Sequence, residues 1–316
     1  MPFHLSSLID RARGVHRAGD DSNELGGIGR RSFLAGLAIA GCSRALRANP
    51  LTVPGDLSDE SWALLSDVHI SSDLDRHWGF SCMAAHLQTV LNRVQAMRPD
   101  HVLINGDVAF TRGEVDDYAA FMELIKPLRD KQIPLHLTLG NHDRRDRFEG
   151  ALPVQDDKAV SAKVMSSRRM GNHQWIFLDS LEITRKIRGS LGADQLAWLK
   201  RRLDGDRSPT IICLHHNPDR SSVGLKDYEA FQDIVLPRRQ VKLVVFGHTH
   251  IFRTWQTEGL HFVNLPAVGF RLKPGTSLGW MSGQFKTGGA QLAFHGVSKY
   301  DRDDGAIRNL AWRTDA

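Results

Sequence analysis
The sequence predicts an α/β fold, with two β-sheets packed face to face as a sandwich and helices covering the outer faces. Three observations carry that expectation. Between residue 62 and about residue 250, short apolar runs alternate with stretches of helical period, the pattern of strands joined by crossover helices. From about residue 260 the pattern changes to short runs separated by Gly-containing turns (HFVNL, GWMSGQF, AQLAFHG), which predicts a second, more antiparallel sheet. With 316 residues, 41% of them hydrophobic, the chain can bury a substantial core, and no repeat or low-complexity linker divides it.

The first 29 residues are polar and Gly-containing, without helical or strand period. They lead into Arg30, Arg31, Ser32, Phe33 and Leu34 and an apolar stretch ending at Cys42, about half the ~20 residues that a bilayer-spanning helix needs. This resembles a twin-arginine signal, with Gly36 and Gly41 moderating its hydrophobicity and Arg44 and Arg47 behind it. Residues 1–48 are therefore expected to be an export address read by the twin-arginine machinery, and 49–316 a single domain that works in the periplasm or cell envelope. Ile39, Ala40, Gly41 and Cys42 also resemble a lipobox, in which Cys42 would be lipidated; cleavage near Ala48 competes with it, and the sequence leaves both open.

After a Pro/Gly/Asp-containing joint at 50–60, strands are predicted at 62–66 (WALLS), 101–105 (HVLIN), 134–139 (PLHLTL), 174–179 (QWIFLD), 209–214 (PTIICL) and 241–246 (VKLVVF). Phe80, Met83, Ala84, Leu87, Val90, Leu91 and Val94 recur at helical spacing, as do Tyr118, Phe121, Met122 and Ile125, and each face should pack on a sheet. Residues 144–172 carry Arg144, Arg145, Arg147, Lys158, Lys163, Arg168 and Arg169 with few apolar positions, and read as a surface insertion, either a lid or a solvated loop. Cys82 falls in the first helical stretch and Cys213 in an apolar run; core packing suits both better than a disulfide framework or CxxC site.

The formal net charge is +5, but residues 1–50 hold seven Arg against Asp10, Asp20, Asp21 and Glu24, so +3 of it lies there and about +2 in the rest. So small an excess argues against a long nucleic-acid track and against an anionic membrane as general partners.

Five short polar motifs each follow an apolar run: SDVH with Asp67 and His69, NGD ending at Asp107, GNHD with Asn141, His142 and Asp143, HHNP starting at His215, and GHTH with His248 and His250. These residue types bind hard or borderline cations through oxygen and imidazole nitrogen. Spacing by two places Asp67 and His69 on one side of an extended strand, and likewise His248 and His250. Any one motif could be a hydrogen-bonded turn. Together they are poorly explained by folding, because the carboxyl ends of parallel strands converge on one crevice. Gathering such groups there without a cation would cost about several kcal/mol per unpaired charge.

The order D-x-H, GD, GNHD, H, GHxH resembles the calcineurin-like metallophosphoesterase superfamily over residues 62 to about 250. The resemblance implies a four-layer α/β sandwich and a dinuclear site taking two divalent or trivalent ions, Mn, Fe or Zn. Asp67, His69 and His250 would bind one ion, Asn141, His215 and His248 the other, and Asp107 would bridge them. His215 is preferred to His216 because it comes first after the strand, where the family's ligand sits. Two cations about 3.5 Å apart would make a bridging hydroxide available and clamp the phosphoryl oxygens of an in-line displacement. His142 resembles the family's residue that stabilises the transition state or protonates the leaving oxygen, and Asp143 would orient it by accepting a ring N–H bond, unless Asp143 is a helix cap.

The expected reaction is hydrolysis of small phosphate esters, with DRRDRF after GNH pointing to the cyclic-nucleotide and glycerophosphodiester branch. Phosphomonoester hydrolysis, a nucleotide pyrophosphatase or nuclease, and a catalytically silent metal-binding envelope protein stay open as alternatives. His77 and the 144–172 segment are the expected sources of substrate contacts. His86, His101, His136, His173, His261 and His295 lack motif context.

Overall fold
The computed structural model describes residues 59–314; the signal and Cys42 expected from the sequence lie outside them. In chain order the elements are β1 (Glu60–Leu65), β2 (His77–Trp78), β3 (Ser81–Cys82), α1 (Met83–Met97), β4 (His101–Asn105), α2 (Val115–Leu124), α3 (Lys126–Asp130), β5 (Leu135–Thr138) and α4 (Arg145–Ala151). There follow β6 (Ser166–Met170), β7 (His173–Phe177), α5 (Ala193–Gly205), β8 (Thr210–Cys213), α6 (Tyr228–Val235), β9 (Val241–Phe246), β10 (Arg253–Thr257), β11 (Leu260–Asn264), β12 (Gly279–Lys286), β13 (Gly289–Gly296) and β14 (Ile307–Ala311).

Two six-stranded sheets result, in the orders β14-β13-β12-β1-β4-β5 and β10-β11-β9-β8-β7-β6. Strands β1, β4 and β5 are mutually parallel, as are β7, β8, β9 and β11. The alternation along β1 shows how the layers form: Trp62 and Leu64 join the core between the sheets, with Trp175, Leu243, Met281 and Phe285, while Ala63 and Leu65 face Leu87, Val90, Leu91 and Val94 of α1. A third core places Leu199 of α5 and Phe231 of α6 against Ile212 and Val244 of the second sheet. The order helix, sheet, sheet, helix is the expected four-layer sandwich. Trp62 and Trp175 stack across its centre at 3.7 Å between ring centroids.

Several sequence expectations are corrected. The C-terminal runs do not form a separate sheet: β12 pairs antiparallel with β1 from Glu60↔Phe285 to Leu64↔Met281, so β12–β14 extend the first sheet. The physical reason is that β1 is buried on both faces, and its remaining backbone edge needs partners. Phe80 is not part of the α1 stripe; it is fully exposed ahead of the helix. Cys82 sits at the N-cap of α1, where its Sγ meets the Leu74 carbonyl, whereas Cys213 is buried in β8. The 144–172 segment holds α4 and the edge strand β6 rather than a solvated loop. Lys163 within it donates to the carbonyls of Asp179, Leu181 and Ser190, and Arg145 forks onto the buried Asp179 carboxylate.

Candidate metal centre
The five motifs leave the carboxyl ends of β1, β4, β5, β8 and β9, and hydrogen bonds between the loops bring them to one place. Asp67 N–H donates to Gly106 O, His69 N–H to Asp107 O, and Gly247 N–H to His215 O. Asp67, His69, Asp107, His248 and His250 all lie beyond their strands with positive φ, between 49° and 72°. This corrects the expectation that strand pleat aligns Asp67 with His69 and His248 with His250: left-handed loop backbone does so. That conformation costs a non-glycine residue about 1–2 kcal/mol and persists where surrounding structure enforces it. Gly106, at φ +77°, is required for a second reason, since a Cβ there would stand 2.2 Å from His215 Nδ1.

Three trios of side chains converge, Asp67–His69–His250, His69–Asp107–His142 and Asp107–His215–His248, the ligating atoms of each trio within 4.8 Å of one another. His250 Nε2 is 3.3 Å from Asp67 Oδ1 and 3.2 Å from His69 Nε2, and His215 Nε2 is 3.3 Å from Asp107 Oδ2. The Nδ1 atoms point away, to the carbonyls of Phe110 from His69, Asn105 from His215 and Phe270 from His250. Those bonds direct an N–H of each ring through Nδ1 and turn Nε2 towards the centre, the orientation of a metal ligand. Asp67 Oδ1, Asn141 Oδ1 and His215 Nε2 are buried without a hydrogen bond of normal geometry. Buried acceptors so placed are costly unless something electropositive completes them, so the donor set fits divalent cations.

Residues 62–252 match the family model of the calcineurin-like phosphoesterases. The chain belongs to that family. It is therefore a metal-dependent phosphoesterase, with Asp and His residues gathered to hold divalent metal ions. The phosphoesterase is 28% identical over 247 residues to a probable cyclic nucleotide phosphodiesterase of Synechococcus sp., across 75% of this chain and 91% of the relative. It is 31% identical over 224 residues to the 3′,5′-cyclic adenosine monophosphate phosphodiesterase of Pseudomonas aeruginosa, across 67% of this chain and 78% of that one. A dimetal phosphatase from Danio rerio shares the fold at a TM-score of 0.62 and 13% identity, covering 80% of this chain and 99% of that one. A purple acid phosphatase from yellow lupin does so at 0.58 and 15%, covering 80% and 54%.

Charge within the phosphoesterase's centre is arranged for cations. Burial opposes ionisation of Asp67, but His250 and His215 outweigh it and bring the pKa to about 2. Asp107 is likewise held well below the usual range, burial being overcome by His215, His142 and His69. Burial lowers His69 to about 3 and His248 to about 4, so both imidazoles are neutral at neutral pH. His215 moves the other way, to about 9, because Asp107 and Asp67 outweigh its burial; a cation competes with that proton.

The expected role of Asp143 is not what the structure shows. His142 Nδ1 bonds to the Phe110 carbonyl at 2.9 Å, so Phe110 orients the ring. The Asp143 carboxylate is buried and accepts from the amides of Val108, Ala109 and Gly140 and from Tyr118 Oη, tying the GD and GNHD loops together. Nor is it a helix cap, since Arg144 occupies the N-cap of α4. His216 is fully buried, with Nδ1 2.8 Å from Ser180 Oγ, and stands outside the three trios. Ser66, whose Oγ bonds Asp67 Oδ2 at 2.5 Å, was visible in SDVH only as a neighbour. The Phe110 and Phe270 carbonyls carry no side-chain signal at all. Of the expected substrate contacts, His77 is exposed and bonded to the Asp75 carbonyl, whereas Arg144 lines a cavity of about 350 Å³ with Arg112, Glu114, Ile183, Thr184 and Arg185. Thr184 Oγ1 donates to Asp143 O and Arg185 N–H to Asn141 O, so this cationic cavity hangs on the GNHD turn.

Proposed function
We propose that the enzyme hydrolyses small phosphodiesters, cyclic nucleotides among them, at a two-metal centre, and that it does so after export. Asp67, His69 and His250 would hold one ion and Asn141, His215 and His248 the other, with Asp107 shared between them; Mn, Fe and Zn all suit this mixed donor set. The observation that carries the reading is that the three trios are linked, the first to the second through His69 and the second to the third through Asp107, beside Asn141 Oδ1 and His215 Nε2, which lack hydrogen-bond partners. Bound divalent cations supply Lewis acidity towards phosphoryl oxygens and acidify water.

The chain's own residues do the rest. His142, held through Nδ1 by Phe110, keeps Nε2 free to carry a proton to the leaving oxygen. Arg112 and Arg185, with Arg144 paired to Asp146 and Glu114 also in the lining, leave the adjoining cavity an excess of positive charge that favours an anionic ester. Diesters are favoured over monoesters by the cyclic nucleotide phosphodiesterases among the relatives and by the sequence that follows GNHD. The Arg30–Arg31 motif ahead of an apolar stretch supports export through the twin-arginine route, and a periplasmic or envelope location follows from it.

The test is hydrolysis of bis(p-nitrophenyl) phosphate and p-nitrophenyl phosphate by the full chain loaded with Mn, Zn or Fe, beside Asp107→Ala. Metal-dependent turnover favouring the diester, lost together with bound metal in Asp107→Ala, is expected. Preference for the monoester would replace the reading with a phosphatase.

A further inference from the structure
An apolar ledge adjoins one side of the centre, and its side chains take no part in the chemistry described so far. Phe270, 5% exposed, has its ring centroid 4.7 Å from that of His69 and 4.8 Å from that of His250. Its carbonyl also accepts the His250 Nδ1 hydrogen bond at 2.7 Å, so its position is coupled to a proposed metal ligand. Against Phe270, at 4.9 Å and an angle of 30°, lies Trp78, which is still 43% exposed.

Trp78 is displayed by the short β2–β3 hairpin, paired with Ser81, and the Cys82 Sγ contact to the Leu74 carbonyl closes the base of the loop. The same loop leaves Leu74 44% exposed and Phe80 fully exposed, and Leu272, two residues beyond Phe270, is 52% exposed. Arg76 at the edge lies over the Phe110 ring at 5.6 Å, and Phe110 is the residue whose carbonyl orients His142. Hydrophobic surface left open beside a catalytic centre is covered when a ligand of matching shape arrives. A ring system stacked on a ring system satisfies that surface; a glycerol group has no flat face to offer, whereas a quaternary ammonium would be held by cation–π attraction and is not a neutral comparison.

We infer that the Trp78–Phe270 ledge seats a nucleobase, and that Trp78 is the residue that makes the enzyme prefer nucleotide phosphodiesters to aliphatic ones. This rests on the phosphodiesterase reading above and adds to it the chemical class of the group esterified to phosphate. The ledge holds the base beside His69 and His250 while the phosphate lies among the metal-binding side chains. Stacking on an aromatic side chain tolerates different bases, so the preference is for bases over aliphatic groups rather than for one base.

The test pairs binding with turnover, using the metal-loaded full chain. Calorimetry compares adenosine 5′-monophosphate with glycerol 3-phosphate, two phosphomonoesters that differ in the organic group, and kinetics compare cyclic AMP with glycerophosphoglycerol, a diester without ring or cation. The wild-type chain is expected to bind the nucleotide about tenfold or more tightly than glycerol 3-phosphate, and Trp78→Ala to erase about tenfold of that ratio, with Trp78→Phe keeping most of it. In turnover the same loss is expected in KM rather than kcat. Equal affinities in the wild-type chain, or a ratio unmoved in Trp78→Ala, overturns the ledge. Failure to hydrolyse either diester, with the binding ratio as expected, overturns the phosphodiesterase reading and leaves the base-binding ledge standing.

Discussion
At His142 and Asp143, adjacent in sequence, the hydrogen bonds differ in kind. His142 has Nδ1 committed to the Phe110 carbonyl, which leaves the other ring nitrogen for the proposed proton transfer. Asp143 has both carboxylate oxygens committed to amides and to Tyr118, and touches nothing that reacts. His142→Ala is therefore expected to lower kcat by about 100-fold with metal content and melting temperature nearly unchanged. Asp143→Ala should do the reverse in kind, leaving three buried amides without an acceptor at about 1–3 kcal/mol each and releasing metal as the two loops separate. Metal analysis and thermal melts on the two purified variants check this. A stable, metal-loaded Asp143→Ala protein would refute the buttress.

The loops after the strands are the elements on which the centre depends, and their fit is tight. Gly106 accepts the Asp67 amide through its carbonyl and passes so close to His215 that a methyl group cannot be placed between them. Gly140 is similarly placed against Asp107, where a Cβ would stand 2.1 Å from Oδ1. Gly106→Ala should push the His215 ring out of its trio, and its positive φ adds about 1–2 kcal/mol of backbone cost. The expected outcome is loss of about half the bound metal with the β-sheet circular dichroism retained, measured by metal stoichiometry on the folded variant. Full occupancy would show that the loop gives way more easily than its packing implies.

For the whole molecule, two buried histidines outside the metal centre add to the pH signature of stability that His69 and His248 give within it. His136, on β5, is pushed down to about 3 by burial, with His101 and Arg168 adding to it, and His173, on β7, is lowered to about 4, again chiefly by burial. Both are neutral in the fold and protonate more readily when unfolded, near pH 6.5. Because the folded-state pKa is depressed, their stabilising contribution is complete above pH 6.5 and is lost as pH falls from there towards 3–4. Urea midpoints of the metal-free chain should fall between pH 7 and pH 5, and a His136→Gln/His173→Gln double variant should fall less steeply. Equal slopes would show that other groups set the acid limit.

Much of this protein was legible in the sequence because the signals were local. Apolar runs of strand length located β4 and β9 to the residue, and helical spacing from Met83 to Val94 located α1, since side-chain period reports which face is buried. The motif residues Asp67, His69, Asp107, Asn141, His142, His215, His248 and His250 were readable as candidates because ligand chemistry resides in side-chain type, and all eight lie on the loops beyond the strand ends. What the tertiary structure alone decided involves backbone and distance. Strands β6 and β10 are edge strands without a clear alternation, and β12 chose the edge of β1 through main-chain pairing that leaves no trace in composition. The ring orientations of His69, His142 and His250 come from the carbonyls of Phe110 and Phe270, groups every residue possesses, so only the folded chain shows which ones are used.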